Sequence, residues 1–417
     1  MKLIHSKDIY FITRDVLKLM DPKVMNHGCR TAYILYKMLQ IQNKYEMYEI
    51  AEFALLATLH DIGAYGTDFM QDVLRYETQD ATPHSIYGYL FLTYLTPFKD
   101  RAKIILYHHT NHSQIQKSNY EFLDVAAMLN VAEKMDLYAN ALGSRFDYLM
   151  FQKHADIKYS AKALDLFYQA QHKYDVLKHL SDESYKEDLD ELFEYLIFTN
   201  EEKRDCILGL IYILGFRSEY TMVDMATCTH VCEQLGEKML LSIPERESLY
   251  YAAVLHDAGM AGVPKEILEA PRRLTDEEMK ELRTHVLSLN RILKGRITQE
   301  CLEIINAHHE RCDGSGYPLK LKDHQMNLLQ KILQVADTIT GLTAKRSYRE
   351  PKTKDQVIDI LKRESDSGRL NKETVWTFIN NYDEIMEGVS EANEKMLSVY
   401  KKLKESYATT EKQMNNR

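Results

Sequence analysis

Apolar residues recur along this chain at the three- and four-residue spacing of one helix face. Ile34, Met38 and Ile41 show this spacing, and similar stripes occur throughout, whereas the alternation typical of a half-buried strand is nearly absent. Helix breakers are few, with 8 prolines and 16 glycines, and several of these glycines stand close to histidine and aspartate residues. The pattern therefore predicts an all-α protein whose helices end beside candidate ligands.

Length and composition narrow the classes of function. With 417 residues, the chain is long enough for two or three domains that each bury a core. Its 62 acidic and 53 basic residues give a net charge of −9, which argues against a surface that coats a nucleic acid polymer. The first residues lack a signal-peptide pattern, and no apolar run approaches the roughly 20 residues of a membrane helix. We expect a cytoplasmic protein with no membrane partner, whose six cysteines are reduced and mostly buried.

Histidine and acidic residues recur in the same order in both halves of the chain. The first-half set is His27, His60, Asp61, His84, His108, His109 and Glu133, and the second-half set is Asp224, His256, Asp257, His285, His308, His309 and Asp337. The spacings agree to within a few residues per loop, which predicts an internal duplication of one helical domain. Because each of these residue types binds hard or borderline metal ions, both sets are candidate metal ligands.

The organisation that follows has four parts. We interpret residues 1–150 as a first helical domain, 151–204 as a helical connector, 205–384 as a second helical domain and 385–417 as a C-terminal helix. In that last helix, apolar residues step by four and three, which is the spacing of a coiled-coil seam. Two interpretations are open: the helix packs back on its own domain, or it joins two copies in a homodimer.

An adjacent His-Asp pair suits a site with two metal ions. The imidazole can bind one ion while the carboxylate bridges to a second. Ions held about 3.5–4 Å apart stabilise both the attacking and the leaving oxygen of a displacement at phosphorus. Two such pairs, each followed by further histidines in order, predict a metal-dependent phosphohydrolase.

A more specific element follows the last histidine pair. From His308 to Pro318 the chain reads H-H-E-R-C-D-G-S-G-Y-P. With this element, the second half resembles the HD-GYP family, a branch of the HD phosphohydrolases, over residues 217–380. The first half resembles a plain HD domain without the element. A tandem chain of this kind is similar to bacterial cyclic-dinucleotide phosphodiesterases, so the resemblance implies hydrolysis of cyclic di-GMP or 3′,3′-cyclic GMP-AMP with iron or manganese.

The resemblance also implies roles for single residues. His256 and Asp257 would be catalytic, and Asp257 would be the bridging carboxylate among the second-half metal ligands. Residues implied to bind substrate are Arg311, Asp313, Gly314, Gly316, Tyr317, Arg346 and Arg349. Arginine suits phosphate because its planar fork can meet two oxygens at once.

Three positions depart from the family pattern. Asp224 stands where the family has histidine, and aspartate can still bind iron or manganese. Tyr220 stands where members with three metals carry glutamate, which predicts two ions in this site. Met260 stands where the family has a lysine that helps to hold substrate phosphate, and the first half has Ala64 there.

These departures leave alternatives open. The second half is expected to be a cyclic-dinucleotide phosphodiesterase, or else a sensor in which Asp224 and Met260 mark lost catalysis. The first half could bind metal and regulate or brace the second, act as an independent nucleotide phosphohydrolase, or be a metal-free scaffold. The sequence alone does not distinguish guanine from adenine as the preferred base.

Overall fold

The computed structural model describes residues 3–66, 82–345 and 350–415. Within these ranges the secondary structure is helical, and the only β contacts are isolated bridges such as that between Ile4 and Ile297. The predicted all-α fold class is therefore confirmed. In this described part of the protein, no helix is long and apolar enough to cross a membrane.

The chain divides into two compact units. The first unit comprises Ile9–Cys206 and Lys401–Arg417, and the second comprises Met1–Asp8 and Ile207–Tyr400. The four-part division made from the sequence remains a prediction.

In the first unit, several helices pack around one long helix. Pro22–Gln42 packs on Met47–Thr58, Leu123–Leu142 and Ala161–Tyr174. Ile34, Leu56 and Ala132 are fully buried at the centre of this layer. The helices of this unit are Ser6–Met20, Pro22–Gln42, Met47–Thr58, Thr82–Leu95, Lys103–Tyr107, His112–Ile115, Leu123–Leu142, Ala161–Tyr174, Val176–Ser181, Tyr185–Phe193 and the part of Tyr382–Asn415 from Lys401 onward. A 3-10 turn lies at Ile62–Gly66.

The second unit repeats this order. Glu219–Lys238 packs on Ile243–Leu255 and on Leu328–Thr343, and Ile243–Leu255 packs on Gln299–Asn306. The helices of this unit are Asn200–Arg217, Glu219–Lys238, Ile243–Leu255, Lys265–Leu268, Asp276–Leu293, Gln299–Asn306, Leu328–Thr343, Lys354–Asp366, Lys372–Asn380 and most of Tyr382–Asn415, with a 3-10 turn at Ala258–Gly262. The helices that carry candidate ligands thus follow one another in the same order in both units.

The C-terminal helix, Tyr382–Asn415, packs against its own chain. Ile385 and Val389 are buried, and Asn393 donates a hydrogen bond to the hydroxyl of Thr227 at 3.0 Å. Since these side chains already have neighbours in the second unit, the packing favours the intramolecular interpretation of the seam.

The cysteines match the expectation from the sequence. All six are free thiols, and all except the half-buried Cys206 are buried.

Candidate metal centres

Four elements of the second unit position five of the predicted ligands. His256 caps the end of helix Ile243–Leu255, and Asp257 follows it at the start of the 3-10 turn. His285 lies inside helix Asp276–Leu293, and the pair His308-His309 follows helix Gln299–Asn306. Asp257, His285, His308 and His309 each offer one ligand atom, and these atoms all lie within 4.8 Å of one another.

Backbone carbonyls fix the orientation of three of these imidazoles. Nδ1 of His256 donates to the carbonyl of Ala253 at 2.7 Å, and Nδ1 of His285 donates to that of Leu282 at 2.7 Å. Nδ1 of His308 likewise donates to a carbonyl three residues earlier, at 2.6 Å. A hydrogen bond of this kind sets the tautomer and leaves Nε2 with a lone pair.

The Asp257 carboxylate lies at the centre of the cluster. Its oxygens are 3.4 Å from Nε2 of His256, 3.3 Å from Nε2 of His285 and 3.7 Å from Nε2 of His308. Burial opposes ionisation of Asp257, but the imidazoles of His256 and His285 beside it hold the pKa of this carboxyl well below its ordinary value. Burial lowers the pKa of His308 well below its ordinary value. An ionised carboxylate with a neutral imidazole is the state that metal binding requires.

The donor set fits a divalent cation. Nε2 of His285 and Nε2 of His308 lie 3.2 Å apart, and the backbone bonds leave both nitrogens as acceptors. Oδ1 of Asp257 is buried and has no hydrogen-bond donor in the described structure. Acceptor atoms that face one another in a buried space are unfavourable unless a cation lies between them.

A second carboxylate orients His309. Oδ2 of Asp337 lies 3.2 Å from Nδ1 of His309. Burial raises the pKa of Asp337, but His309 outweighs that effect and lowers it to about 2. Asp224, in contrast, lies on helix Glu219–Lys238, and among the described residues it forms no ligand group with His256 and Asp337 comparable to the one above.

The loop after the histidine pair is built around Glu310. This carboxylate is 0% exposed and accepts hydrogen bonds from the backbone N–H groups of Leu319 (2.5 Å), Lys320 (3.0 Å) and Leu321 (2.9 Å). Glu310 belongs to the motif, but no role was predicted for it from the sequence. The signal that could have found it is an acidic residue between the histidine pair and the two glycines of the loop.

Two glycines allow the loop to close. A Cβ on Gly316 would lie 2.3 Å from the backbone nitrogen of Arg311, which is closer than real Cβ contacts. Gly314 has a φ of +84°, a conformation that L side chains rarely adopt. Both predicted glycines thus serve the backbone of the loop.

Tyr317, which the resemblance implies binds substrate, lies beside His309. Its ring is 4.8 Å from that of His309, with an interplanar angle of 32°. The guanidinium of Arg283 lies 4.8 Å from the centroid of Tyr317. Sequence reasoning missed Arg283, because only the packing of its helix against the loop brings it to this position.

The other predicted substrate residues have different surroundings. Arg311 donates to the hydroxyl of Thr338 at 3.0 Å. Asp313 accepts from the backbone N–H of Ser315 at 2.9 Å and lies 3.7 Å from Arg369. Both side chains therefore hold the loop in this structure. The predicted positions Arg346 and Arg349 lie outside the described residues.

The first unit assembles its ligand atoms into two groups. One consists of Asp61, His84, His108 and His109, and the other of His27, His60 and Glu133. Within each group the atoms lie within 4.8 Å of one another. All seven predicted first-half ligands are thus brought together.

The same orienting bonds recur here. Nδ1 of His60 donates to the carbonyl of Ala57 at 2.7 Å, and Nδ1 of His108 donates to that of Ile105 at 2.5 Å. Nε2 of both histidines and Oδ2 of Asp61 are buried without a hydrogen bond in the described structure. Burial lowers the pKa of His60 and of His108, which keeps these imidazoles neutral. This donor set also fits divalent cations.

A glycine two residues after each His-Asp pair permits a close approach of backbones. A Cβ on Gly259 would lie 2.2 Å from the carbonyl oxygen of His285, and a Cβ on Gly63 would lie 2.0 Å from that of His84. The turn after the aspartate can therefore contact the helix that carries the next histidine.

The helical fold thus brings histidine and aspartate side chains into buried clusters that are able to hold metal ions. Residues 209–373 match the family model of the HD domain. That range includes His256, Asp257, His285, the loop and Asp337.

Particular relatives extend the likeness beyond this domain. The chain is similar to 3′3′-cGAMP-specific phosphodiesterase 1 of Vibrio cholerae, with 25% identity over 402 residues that cover 91% of this chain and 92% of the relative. It is also similar to a cyclic di-GMP phosphodiesterase of Thermotoga maritima, with 34% identity over 194 residues that cover 44% of this chain and 52% of the relative.

A solved structure shares the fold. The crystal structure of the cyclic GMP-AMP specific phosphodiesterase V-cGAP3 of Vibrio cholerae aligns with a TM-score of 0.58 and 15% identity, over 90% of this chain and 97% of that one. At this identity the likeness concerns the fold alone.

Proposed function

We propose that the protein is a metal-dependent phosphodiesterase that opens a cyclic dinucleotide, cyclic di-GMP or 3′,3′-cyclic GMP-AMP, to a linear product in its second unit. One observation carries this proposal. The ligand atoms of Asp257, His285, His308 and His309 meet within 4.8 Å, and the ring of Tyr317 from the adjoining loop lies 4.8 Å from that of His309. A candidate metal site and an aromatic ring therefore adjoin.

The names of the relatives support the choice of substrate. The relative from Vibrio cholerae is described as specific for 3′3′-cGAMP, and the relative from Thermotoga maritima as acting on cyclic di-GMP. Since the first of these matches along nearly the whole chain, the proposal extends to a protein of two units rather than to one domain.

The protein's own residues have three tasks in this reaction. Asp257 and the histidines around it would hold two divalent ions, iron or manganese. When bound, such ions act as Lewis acids at phosphoryl oxygens and stabilise the attacking and leaving oxygens. Asp257 stays ionised because of its histidine neighbours. Tyr317 and Arg283 form a ring and a cation beside the cluster, where a nucleobase can stack and a phosphate can pair.

A cyclic-dinucleotide sensor is the alternative that a specific observation favours. Among the described residues, Asp224 is not brought into a ligand group with His256 and Asp337. Met260 lies on the 3-10 turn that follows His256-Asp257, and its uncharged side chain cannot pair with phosphate as a lysine would. A site with weaker metal and phosphate contacts can bind its ligand without cutting it.

The same proposal covers the rest of the chain. The two units would be tandem HD-type domains that arose by duplication, in a bacterial cytoplasmic protein. The first unit would hold metal and brace or regulate the second. The experiment below would also reveal a nucleotide phosphohydrolase in the first unit. A measurement of mass in solution would reveal a homodimer formed through helix Tyr382–Asn415.

Product analysis tests the proposal directly. Full-length protein loaded anaerobically with Fe²⁺ or Mn²⁺ is incubated with each cyclic dinucleotide and with nucleoside mono- and triphosphates. Linear dinucleotide that disappears in His256→Ala and persists in the matched variant His60→Ala supports the second unit as the site of hydrolysis. Tight binding without product supports the sensor, and activity lost only in His60→Ala moves the reaction to the first unit.

A further inference from the structure

A buried carboxylate holds one ligand of the first unit. Oδ2 of Asp136 lies 2.7 Å from Nδ1 of His27, and its Oδ1 accepts from Nε of Arg30 at 2.5 Å. The Asp136 side chain is 3% exposed. A carboxylate that is buried and charged requires such partners, so Asp136, His27 and Arg30 form one connected network.

This network decides which nitrogen of His27 can face a metal ion. Because Nδ1 donates to Asp136, Nε2 carries the lone pair. The His27 ring lies 5.1 Å from that of His60, and His27, His60 and Glu133 form a ligand group. A carboxylate that orients a ligating imidazole from behind also raises its basicity as a ligand.

The second unit lacks this network at the matching positions. In the repeated order of helices and ligands, Asp224 corresponds to His27, Thr227 to Arg30 and Thr340 to Asp136. Thr340 donates to the carbonyl of Ala336 at 2.9 Å. Thr227 is bonded to Asn393 instead. All three members of the network have therefore been replaced together.

The difference between the units extends to their ligand groups. Two groups form in the first unit, whereas the group formed by the described residues of the second does not include Asp224. The imidazoles and carboxylate of the first-unit group that contains His27 suit a first-row transition ion such as Mn²⁺ or Fe²⁺.

We propose that Asp136 is a positioning residue for a divalent ion bound by His27, His60 and Glu133, and that this ion belongs to the first unit. The inference does not depend on which nucleotide the second unit hydrolyses. It assigns to the first unit a metal position whose affinity is controlled from outside the ligand set.

Manganese binding to the full-length protein tests this assignment. Metal-free protein is titrated with Mn²⁺ while the electron paramagnetic resonance signal of the free ion is followed. Loss of an orienting partner of a ligand typically weakens metal affinity by about 10- to 100-fold. Asp136→Ala should weaken one binding step by that factor, with the number of ions restored at excess Mn²⁺. His27→Ala, which removes the ligand itself, should bind one ion fewer even at excess.

Two further variants separate positioning from folding. Thr340→Ala, at the matching position of the second unit, should titrate like the wild type. Asp136→Asn keeps the shape and an acceptor oxygen but loses the charge, so its affinity should fall between those of wild type and Asp136→Ala. Circular dichroism identifies any variant that fails to fold, and Asp136→Asn then replaces Asp136→Ala. An Asp136 variant that folds and binds Mn²⁺ with the wild-type number and affinity overturns the proposal, as does an equal loss in Thr340→Ala.

Discussion

The ring of Tyr317 lies 4.8 Å from that of His309 at an interplanar angle of 32°, so the last histidine of the second-unit cluster has an aromatic neighbour. The guanidinium of Arg283 lies 4.8 Å from the centroid of the Tyr317 ring. A candidate metal ligand, an aromatic ring and a cation are therefore adjacent, although Arg283 belongs to helix Asp276–Leu293 and the other two residues follow helix Gln299–Asn306.

Arg283→Ala should raise the KM for the cyclic dinucleotide about tenfold and leave kcat nearly unchanged. The reason is that a hydrogen bond to a charged group contributes about 1.5 kcal/mol or more, and a factor of ten in affinity is about 1.4 kcal/mol. Steady-state kinetics measures both parameters. Arg291→Ala, an exposed arginine on the same helix, is the matched control. An unchanged KM in Arg283→Ala would assign Arg283 to packing alone.

Glu310→Gln should loosen the loop without removing the metal. The amide cannot accept charge-assisted hydrogen bonds from three N–H groups as the carboxylate does, and the loss is expected to cost about 1.5–3 kcal/mol locally. Hydrogen exchange at the amides of residues 319–321 should accelerate, and turnover should fall. Glu303→Gln, which changes an exposed glutamate, should exchange like the wild type. Protection that is unchanged at these amides would contradict the role given to Glu310.

Gly316→Ala should cost at least tenfold in turnover and should lower the thermal midpoint. The added Cβ would meet the backbone of Glu310 and Arg311 at 2.3–2.4 Å, and backbone can move only by deforming the loop. Gly341→Ala is the matched control, since its Cβ would meet nothing within 4 Å and it lies in helix Leu328–Thr343. That control should be neutral or stabilising by about 0.5–1 kcal/mol. Calorimetry with activity assays distinguishes the two glycines.

Divalent metal should stabilise the folded protein. The clusters contain buried acceptor atoms that face one another, so a cation that binds only the native state raises the free energy of unfolding. A concentration 100 times the Kd would add about 2.7 kcal/mol per site. Differential scanning calorimetry with chelator and with Mn²⁺ should show a higher midpoint with the metal. Equal midpoints would mean that the clusters do not bind the ion in the native state.

Much of the candidate site could be predicted from the sequence, because several ligands follow helices whose ends are marked locally. His256 and His308 follow apolar helices, whereas the hydrogen bonds from their Nδ1 atoms to carbonyls three residues earlier are seen only in the structure. The order of ligands then repeats in both halves of the chain. The helical class followed from the same periodicity.

Contacts between distant segments could not be predicted in this way. Asp136 and His27 are 109 residues apart in the sequence. Arg283 and Tyr317 are 34 residues apart and belong to different elements. Such pairs depend on how helices pack, which the periodicity of a single helix does not encode. The C-terminal seam shows the same limit, because spacing did not reveal whether Ile385 and Val389 pack within the chain or between copies.

The bonds made by Glu310 also bear on how this loop can change over evolution. Its carboxylate accepts hydrogen bonds from the main chain of Leu319, Lys320 and Leu321. A residue that keeps a backbone N–H can therefore preserve these hydrogen bonds, which proline cannot. Side chains at these positions can thus change to suit other ligands while the Glu310 carboxylate preserves the shape of the loop.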